Sequence, residues 1–409
     1  MKEFQNNKKE RVVILSVLKP VDDVRAYQKI AKSISSDDKK ITLIGFEASS
    51  SFDKKNTNPT INFIELFTFK KNANRLGFWR FFAGFKIFKQ LLKLKPNKII
   101  VCAVELLPFT LLFKLLFSLK SESKSNSIKL IYDLQENYAF NILYQNNYPK
   151  FLKKRLAFLT QSFEKFSTSF IDLHLLAEQC YLEEMSYLKK TNYIFLENKF
   201  LTENSFNSNF NNYNYLEKKE IKFLLYGSFS KTYGTLDGIL LFKKLEKELY
   251  KNGFSVTLVL AGYCLDKEYS KKIIEITENA NSIYLLNKNL DKSISHQVLL
   301  QELQKTDFVI LPYLFNKSTQ NCIPTKFYEC LAYQKPMLIS KNPKWEGFIN
   351  PLNAGIFIDF EELENKISII VKKIISQKFY TKTIDEKIWK FDRKILRKAI
   401  AKINTSSKE

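Results

Sequence analysis

The sequence predicts an α/β protein with two doubly wound domains in tandem, and three observations carry this prediction. The chain has 409 residues, which is too long for one hydrophobic core and favours two domains. Short, nearly continuous apolar runs alternate with longer amphipathic stretches, a pattern typical of parallel sheets covered by helices on both faces. The pattern occurs twice, and the aperiodic, Asn- and Ser-rich stretch 198–219 lies between the two series.

Candidate strands follow one another at regular spacing in each half. The first series is Val12–Leu18, Ile41–Phe46, Ile61–Phe67, Lys98–Val104, Ile128–Leu134, Asp172–Ala177 and Tyr193–Glu197. The second series is Lys222–Phe229, Val256–Gly262, Ser282–Leu286, Phe308–Tyr313, Met337–Ser340 and Gly355–Asp359. We therefore predict an N-terminal domain over 1–200, a linker over 201–220 and a C-terminal domain over 221–380, followed by a helical C-terminal segment over 381–409. Two such domains are expected to face a cleft, where the carboxyl ends of both sheets would bind ligands.

Charge and composition limit the classes of partner. The net charge of +23 attracts polyanions, but only seven of the 65 basic residues are arginine. Recognition of bases and bidentate phosphate binding favour arginine. We therefore expect no nucleic acid as partner and rank attraction to an anionic membrane surface above nucleic-acid binding.

Cysteine and histidine usage indicates a cytoplasmic protein without a metal centre. The five cysteines form no C-x-x-C pair and lie in apolar runs, which predicts reduced, mostly buried thiols. The two histidines, His174 and His296, nearly exclude a histidine-based metal site. His174 lies in an apolar run and is predicted to be a core residue, whereas His296 is predicted on a helix face. No apolar stretch is long and uncharged enough for a transmembrane helix.

Common phosphate-binding and hydrolase motifs are absent from the sequence. There is no G-x-G-x-x-G, no P-loop, no G-x-S-x-G and no D-x-D. One predicted strand instead ends at Gly227-Ser228 and is followed by Lys231 and by a helix that begins near Gly234. Backbone amides at such a turn can bind a phosphate. An ordinary tight turn that binds nothing would have the same sequence pattern. Gly262 ends the next strand in the same way.

The most specific segment is the stretch 312–340. Pro324 is predicted to begin a helix that carries Lys326 and Glu329 on one face. The lysine could bind a diphosphate, and the glutamate could accept hydrogen bonds from two ribose hydroxyls. From spacing alone, a solvated ion pair on an ordinary helix remains the alternative.

Several segments together resemble the GT-B glycosyltransferases of the large glycosyl transferases group 1 kind, similar to family 4, over nearly the whole chain. IPTKFYECLAYQKPMLIS resembles their P-x-K-x-x-E-x-x-A-x-x-x-P-V-I-x-S segment, and Tyr132-Asp133-Leu134-Gln135-Glu136 resembles the Y-D-x-H-E strand end. The start, with Asp22 and Arg25, is similar to D-x-R-x-x-x-x-A-x-S-L, and Trp389–Leu396 resembles a C-terminal helix that packs back on the first domain. In departure from the family, Gln135 stands where histidine is frequent, and Asn321 stands where the first of two glutamates is expected.

The resemblance implies two Rossmann-like domains and a set of site residues. Donor binding would fall to Gly227, Ser228, Lys231, Gly262, Asn321, Thr325, Lys326 and Glu329. The catalytic residues would be Asp133, Gln135 and Glu136, on the N-terminal side of the expected cleft. The residues that face the acceptor would be Asp22 and Arg25. Glu136 or Asp22 could serve as the base of an inverting enzyme, whereas a retaining enzyme needs none. A nucleotide sugar would be the substrate, with no cofactor and no metal.

The stretch 75–94 predicts a basic amphipathic helix. Its aromatic and leucine stripe comprises Phe78, Phe81, Phe82, Phe85, Phe88 and Leu92, and its lysines are Lys86, Lys89 and Lys93. Such a helix could lie on anionic lipid at the inner face of the membrane. Alternatively, the stripe packs into the domain core.

Three functions are consistent with the sequence. The first is a cytoplasmic, peripheral glycosyltransferase that transfers a sugar to a glycan or lipid-linked acceptor in surface polysaccharide biosynthesis. The second is a catalytically silent GT-B protein that binds a partner or a glycan. Gln135 and Asn321 would favour it, and so would Tyr233, which stands before Gly234 where related members can carry a phosphate-binding arginine. The third is a sugar-nucleotide epimerase of the same fold.

Overall fold

The structure is a computed structural model that describes residues 9–48, 52–54, 57–67, 79–118, 127–144, 148–202, 216–217 and 219–405. The chain divides into two compact units, one formed by residues 1–201 and 391–409 and the other by residues 202–390. Most of the predicted linker, over 203–215, lies outside the described residues.

The first unit contains a seven-stranded parallel sheet in the order β3-β2-β1-β4-β5-β6-β7. Its strands are β1 (Glu10–Pro20), β2 (Lys39–Phe46), β3 (Ile61–Phe67), β4 (Lys98–Val101), β5 (Lys129–Leu134), β6 (Leu173–Leu176) and β7 (Tyr193–Phe195). A π-helix spans Val24–Ala31, and the α-helices are α1 (Lys32–Ile34), α2 (Trp79–Leu94), α3 (Leu107–Ser118), α4 (Tyr138–Tyr144), α5 (Lys150–Ser167) and α6 (Tyr181–Glu184). Short 3₁₀ turns occupy Val104–Leu106, Thr168–Phe170 and Ser186–Lys190.

The second unit contains a six-stranded parallel sheet in the order β10-β9-β8-β11-β12-β13. Its strands are β8 (Glu220–Phe229), β9 (Ser255–Cys264), β10 (Ile283–Leu285), β11 (Phe308–Leu311), β12 (Met337–Ser340) and β13 (Gly355–Ile358). Its helices are α7 (Thr235–Lys251), α8 (Lys267–Glu278), α9 (His296–Lys305), α10 (Thr325–Ala332), α11 (Pro343–Ile349), α12 (Leu363–Ser376) and α13 (Glu386–Trp389), with a 3₁₀ turn at Asn350–Leu352. The last helix of the chain, α14 (Arg393–Thr405), belongs to the first unit.

The predicted fold class is confirmed, and every predicted strand is present with small changes at its ends. Strands β4, β6, β11 and β12 are buried at every position, which explains their continuous apolar sequence. In both sheets the strand order reverses at the first strand of the unit, between β1 and β4 and between β8 and β11. This reversal creates a switch point where ligands of open parallel sheets bind.

The cysteines and His174 behave as the sequence predicts. All five cysteines are thiols outside any disulfide bond, and four of them are buried. His174 lies in β6 and is fully buried, and burial lowers its pKa to about 4. Among the described helices, none is both long enough and apolar enough to cross a bilayer.

The C-terminal segment forms two helices where the sequence predicted one. Lys390, between α13 and α14, has an extended backbone. The side chain of Asp392 then accepts hydrogen bonds from the amides of Lys394 and Ile395, so it caps a new helix. On the apolar face of α14, Leu396 and two isoleucines are buried in the core of the first unit beside the π-helix, β1 and β2.

Helix α5 carries a buried carboxyl group whose pKa is raised. Glu164 accepts a hydrogen bond of 2.7 Å from the hydroxyl of Tyr132, and burial raises its pKa from 4.5 to about 7. Because the pKa is higher in the folded state than in the unfolded state, this group favours folding below about pH 4.5. That contribution is lost as the pH rises through about 7.

We therefore expect Glu164→Gln to stabilise the protein at high pH. The amide keeps an acceptor for Tyr132 and cannot ionise, so above pH 8 its free energy of unfolding should exceed that of the wild type by roughly 2–4 kcal/mol. Near pH 4 the two proteins should be equally stable. Denaturant unfolding across this pH range measures the difference, with the exposed Glu278 changed to glutamine as the control. A constant difference at every pH would contradict the assignment.

Candidate functional site

The candidate site lies at the switch point of the second sheet, between the carboxyl ends of β8 and β11. Gly227, near the end of β8, has a φ of +98°, which favours glycine. Gly234, at the start of α7, has a φ of +62°, and a Cβ atom there would lie 1.7 Å from the carbonyl oxygen of Pro312. The turn from β8 to α7 is therefore held against the end of β11.

Helix α10 supplies the cation of the site. Pro324 precedes the first residue of this helix, and Lys326 is its second residue. The ammonium group of Lys326 lies 5.1 Å from the ring centroid of Tyr226, 5.9 Å from that of Tyr233 and 5.7 Å from that of Tyr313. Desolvation lowers the pKa of Lys326 to about 8, although the charge of Glu329 opposes this shift. Lys326 forms no salt bridge with any of the described residues. It can therefore receive an anionic group without first breaking an ion pair.

Glu329 lies one turn further along α10 and is buried. Its Oε2 accepts a hydrogen bond of 2.6 Å from the hydroxyl of Tyr226, and its Oε1 lies 2.8 Å from Nε2 of His296. Burial raises the pKa of Glu329, but the hydrogen bonds of His296 and Tyr226 and the charge of Lys326 together hold it below its usual value. Because an ionised carboxylate only accepts hydrogen bonds, Nε2 of His296 carries the hydrogen.

His296 is a site residue that the sequence did not reveal. The prediction placed it on a helix face, and the structure places it at the first position of α9, against Glu329. The two residues are 33 positions apart in the sequence, and no local pattern predicts that they meet. Only the packing of α9 beside the sheet creates this contact.

A cavity of about 280 Å³ opens beside Lys326. Its walls are formed by Ser228, Thr232, Tyr233, Tyr313, Leu314, Thr319, Cys322, Pro324, Thr325, Lys326 and Trp345. The indole nitrogen of Trp345 donates a hydrogen bond of 2.8 Å to the carbonyl oxygen of Cys322, which fixes this wall. An aromatic cavity with a few hydroxyl groups and one cation suits a small ligand with an anionic part.

The structure separates the predicted donor-binding residues into two groups. Ser228, Thr325 and Lys326 line the cavity, and Gly227 packs directly against the Lys326 side chain. The others do not line it: Lys231 is exposed in the turn and Asn321 is half-buried. Gly262 lies two residues before the end of β9. It is next to the backbone of Gly227, because a Cβ atom at Gly262 would lie 2.1 Å from the Gly227 carbonyl oxygen.

Three of the predicted residues of the first unit, Arg25, Asp133 and Gln135, form one hydrogen-bonded network. Nε and Nη2 of Arg25 donate to the carboxylate of Asp133 at 2.6–3.0 Å, and Asp133 is fully buried. The amide of Gln135 donates to Oδ2 of Asp133 at 2.7 Å. The side-chain oxygen Oε1 of Gln135 accepts a hydrogen bond of 2.7 Å from the ammonium group of Lys19. Asp133 thus has partners on both oxygens, and the catalytic role assigned to it stays a prediction.

Glu136 and Asp22 lie at the edge of this network. Glu136 is exposed and accepts a hydrogen bond of 2.6 Å from the side chain of Asn141. Asp22 is half-buried in the turn after β1, where the neighbouring Asp23 caps the π-helix. Of the two candidate bases, Glu136 therefore has the more accessible carboxylate.

Replacement of Gly227 by alanine is expected to disturb the cation. The added Cβ atom would lie 2.9 Å from both Cε and Nζ of Lys326, and the positive φ would be strained by about 1–3 kcal/mol. We expect a lower melting temperature and weaker nucleotide binding, measured by thermal unfolding and calorimetry. Gly347→Ala is the control, because its added Cβ atom meets nothing within 4 Å. Unchanged affinity in Gly227→Ala would show that Lys326 does not contact the ligand.

Two parallel-sheet α/β units, each with its switch point, give the chain the GT-B fold. The fold matches solved structures over nearly the whole chain. HepE of Anabaena in complex with UDP is 14% identical, with 97% of this chain and 100% of that chain covered and a TM-score of 0.58. Sucrose-phosphate synthase from Thermosynechococcus elongatus is 11% identical, with 97% and 95% covered and a TM-score of 0.58.

A third similar structure is WaaG, described as a glycosyltransferase involved in lipopolysaccharide biosynthesis. It is 13% identical, with 97% of this chain and 94% of that chain covered and a TM-score of 0.56. No family model matches the chain, and no curated protein matches it by sequence.

Proposed function

We propose that this protein is a metal-independent glycosyltransferase that uses a nucleotide-sugar donor. The cavity with Lys326 at the switch point of the second sheet carries this proposal. In transfer from a nucleotide sugar, negative charge grows on the diphosphate as the bond to the sugar breaks, and a preorganised cation stabilises that charge. Lys326 is the cation of the cavity, and the neighbouring amides of Gly227 and Ser228 can add hydrogen bonds.

Glu329 has the position of a ribose-binding group in this proposal. Its carboxylate is held ionised and fixed in orientation by Tyr226 and His296. A ribose hydroxyl would add to this arrangement or displace His296, which is the more exposed of the two partners. The similar structure of HepE in complex with UDP supports a uridine nucleotide as the first donor to test.

The acceptor in this proposal is a glycan or a lipid-linked sugar of surface polysaccharide biosynthesis. The similarity to WaaG, a glycosyltransferase of lipopolysaccharide biosynthesis, supports this choice. The excess of positive charge further supports a site of action at the inner, anionic face of a membrane. Glu136 is the proposed base if the enzyme inverts the configuration of the sugar.

A nucleotide screen tests the donor. Thermal unfolding is measured with UDP, GDP, CMP and their sugars, and a ligand at 100 times its dissociation constant should stabilise the fold by about 2.7 kcal/mol. The sugar nucleotide that stabilises the protein is then incubated without acceptor, and slow release of the free nucleotide is measured. No stabilisation by any nucleotide would refute the proposal.

A catalytically silent binding protein is the second candidate, and the environment of Asp133 favours it. This carboxylate, which the resemblance assigns to catalysis, is fully buried and paired with Arg25. The silent protein would bind a nucleotide or a glycan without releasing nucleotide from any donor. Nucleotide binding without turnover would therefore select this candidate.

A further inference from the structure

Three helices of the first unit, α2, α3 and α5, are nearly free of acidic residues. Neither α2 nor α3 contains an acid, and the single acid of α5 is the buried Glu164. Helices α7, α8 and α12 of the second unit instead mix glutamates with their lysines. The first unit therefore has helix surfaces with a charge of one sign.

The three helices are neighbours on the same face of the first sheet. Right-handed crossovers place the helices that connect β3, β4, β5 and β6 on one side. The rings of Phe85 on α2 and Phe109 on α3 lie 5.0 Å apart, and a Cβ atom at Gly84 would lie 2.0 Å from the Phe109 ring. Lys114 of α3 donates a hydrogen bond of 2.7 Å to the carbonyl oxygen of Phe170, in the turn after α5.

The outward side of this layer exposes large apolar residues. On α5, Phe151 and Phe158 are 78% and 68% exposed, and Lys154 and Arg155 lie between them on the same side. On α2, Phe82 is 64% exposed. We call this surface, formed by the exposed residues of α2, α3 and α5, the three-helix face.

The exposure on α2 corrects one of the two interpretations of its aromatic stripe. Phe82, Phe85 and Leu92 are exposed, so the prediction that the stripe packs into the core is wrong for these residues. Among the described side chains of α2, those of Ala83, Ile87 and Leu91 are buried. Phe88 is half-buried, and Phe78 and the side chain of Phe81 lie outside the described residues.

Cations accompany the apolar residues on the three-helix face. Lys86, Lys89 and Lys93 line an open groove of about 410 Å³ together with Leu66, Gln90 and Leu92. A phosphate headgroup is the anion that three lysines above an apolar surface would accept, and each lysine near an anionic membrane adds about 1 kcal/mol of attraction. Phenylalanine and leucine side chains among lysines are the composition of helices that lie in a membrane interface.

We infer that the three-helix face docks on the surface of an anionic bilayer, with α2 and α5 lying along it. This inference deepens the proposed function, because a lipid-linked acceptor is confined to that surface. The positive charge of the three-helix face argues against a second copy of this chain as its binding partner. Two such faces would bring lysines against lysines, and the three helices have no exposed acid to pair with them. A bilayer with acidic lipids supplies both the negative charge and the apolar interior.

Vesicle co-sedimentation of the full chain tests this inference. The wild type should bind vesicles of phosphatidylglycerol and phosphatidylcholine, release as salt is added, and bind pure phosphatidylcholine vesicles at least ten times more weakly. Phe151→Ser/Phe158→Ser and Lys86→Gln/Lys89→Gln/Lys93→Gln should each lower the partition coefficient on the mixed vesicles at least tenfold.

Matched variants in the second unit are the controls. Tyr250→Ser/Leu265→Ser removes two apolar side chains that are also highly exposed, at 78% and 81%. Lys267→Gln/Lys271→Gln/Lys272→Gln removes three exposed lysines of α8. Both control variants should bind the mixed vesicles like the wild type.

Three outcomes would overturn the inference. They are equal binding to neutral and anionic vesicles, equal losses in the control variants, and a concentration-dependent dimer that the Phe151→Ser/Phe158→Ser variant abolishes. Nucleotide-induced thermal stabilisation, measured on the same variants in solution, should not change. Vesicle binding without thermal stabilisation by any nucleotide would support membrane docking and refute the proposed nucleotide-sugar donor. Failure of the docking inference can therefore be distinguished from failure of the proposed function.

Discussion

Lys326→Met is expected to lower the release of nucleotide from the sugar donor by about 10²–10³-fold, because it removes the cation that faces the growing charge of the diphosphate. The methionine side chain has a similar length and no desolvation cost, so the free energy of unfolding should not fall. Steady-state turnover and calorimetric affinity for the nucleotide measure the effect. Lys267→Met, on the exposed side of α8, is the matched control and should leave both quantities unchanged.

The pH dependence of nucleotide binding provides a second readout of Lys326. Its pKa of about 8 lies close to physiological pH, so the free protein loses this charge as the pH rises through 8. As the pH rises from about 7 to 9, affinity for the nucleoside diphosphate should therefore fall in the wild type, but not in Lys326→Met. Parallel pH profiles in the two proteins would exclude Lys326 from the diphosphate site.

Arg25→Met is expected to have the largest effect on stability, a loss of about 3–5 kcal/mol. The variant leaves the carboxylate of Asp133 buried without its cation. It also removes the hydrogen bonds of 2.8 Å from Nη1 to the carbonyl oxygen of Leu196 and to Asn198. Denaturant unfolding of the first unit measures the loss.

A double-mutant cycle separates the ion pair from the rest of the Arg25 side chain. Arg25→Met/Asp133→Leu removes both charges and should recover part of the stability that Arg25→Met loses, because no unpaired charge remains. Lys305→Met breaks an exposed pair with Glu302 and should cost at most about 1 kcal/mol. A change of similar size in Arg25→Met and Lys305→Met would contradict the structural role of the Arg25–Asp133 pair.

The strands and the helix of the candidate site could be predicted because their signals are local. Buried parallel strands need continuous apolar sequence, and Pro324, Lys326 and Glu329 lie within one short helix. The resemblance further selected Arg25 and Asp133, but it assigned them to separate roles. Their ion pair joins residues 108 positions apart, and only the order of β1, β4 and β5 in the sheet brings them together.

The three-helix face shows why the orientation of a helix is harder to predict. Helix α2 has apolar residues around most of its circumference, so its sequence does not define a single buried stripe. The small Gly84 decides the orientation, since it allows the ring of Phe109 on α3 to approach. A prediction that does not know the position of the neighbouring helix places the larger phenylalanines in the core.

The return of the chain to its first unit constrains the order of events during synthesis. Leu396, Ile400 and Ile403 complete the apolar cluster beside the π-helix, yet they are translated after every residue of the second unit. Until α14 leaves the ribosome, the nascent first unit exposes Ile30, Ala31 and their neighbours to water and to other chains. The N-terminal half therefore cannot finish folding before the C-terminal half has been made, and chaperones that cover apolar surface would act during that interval.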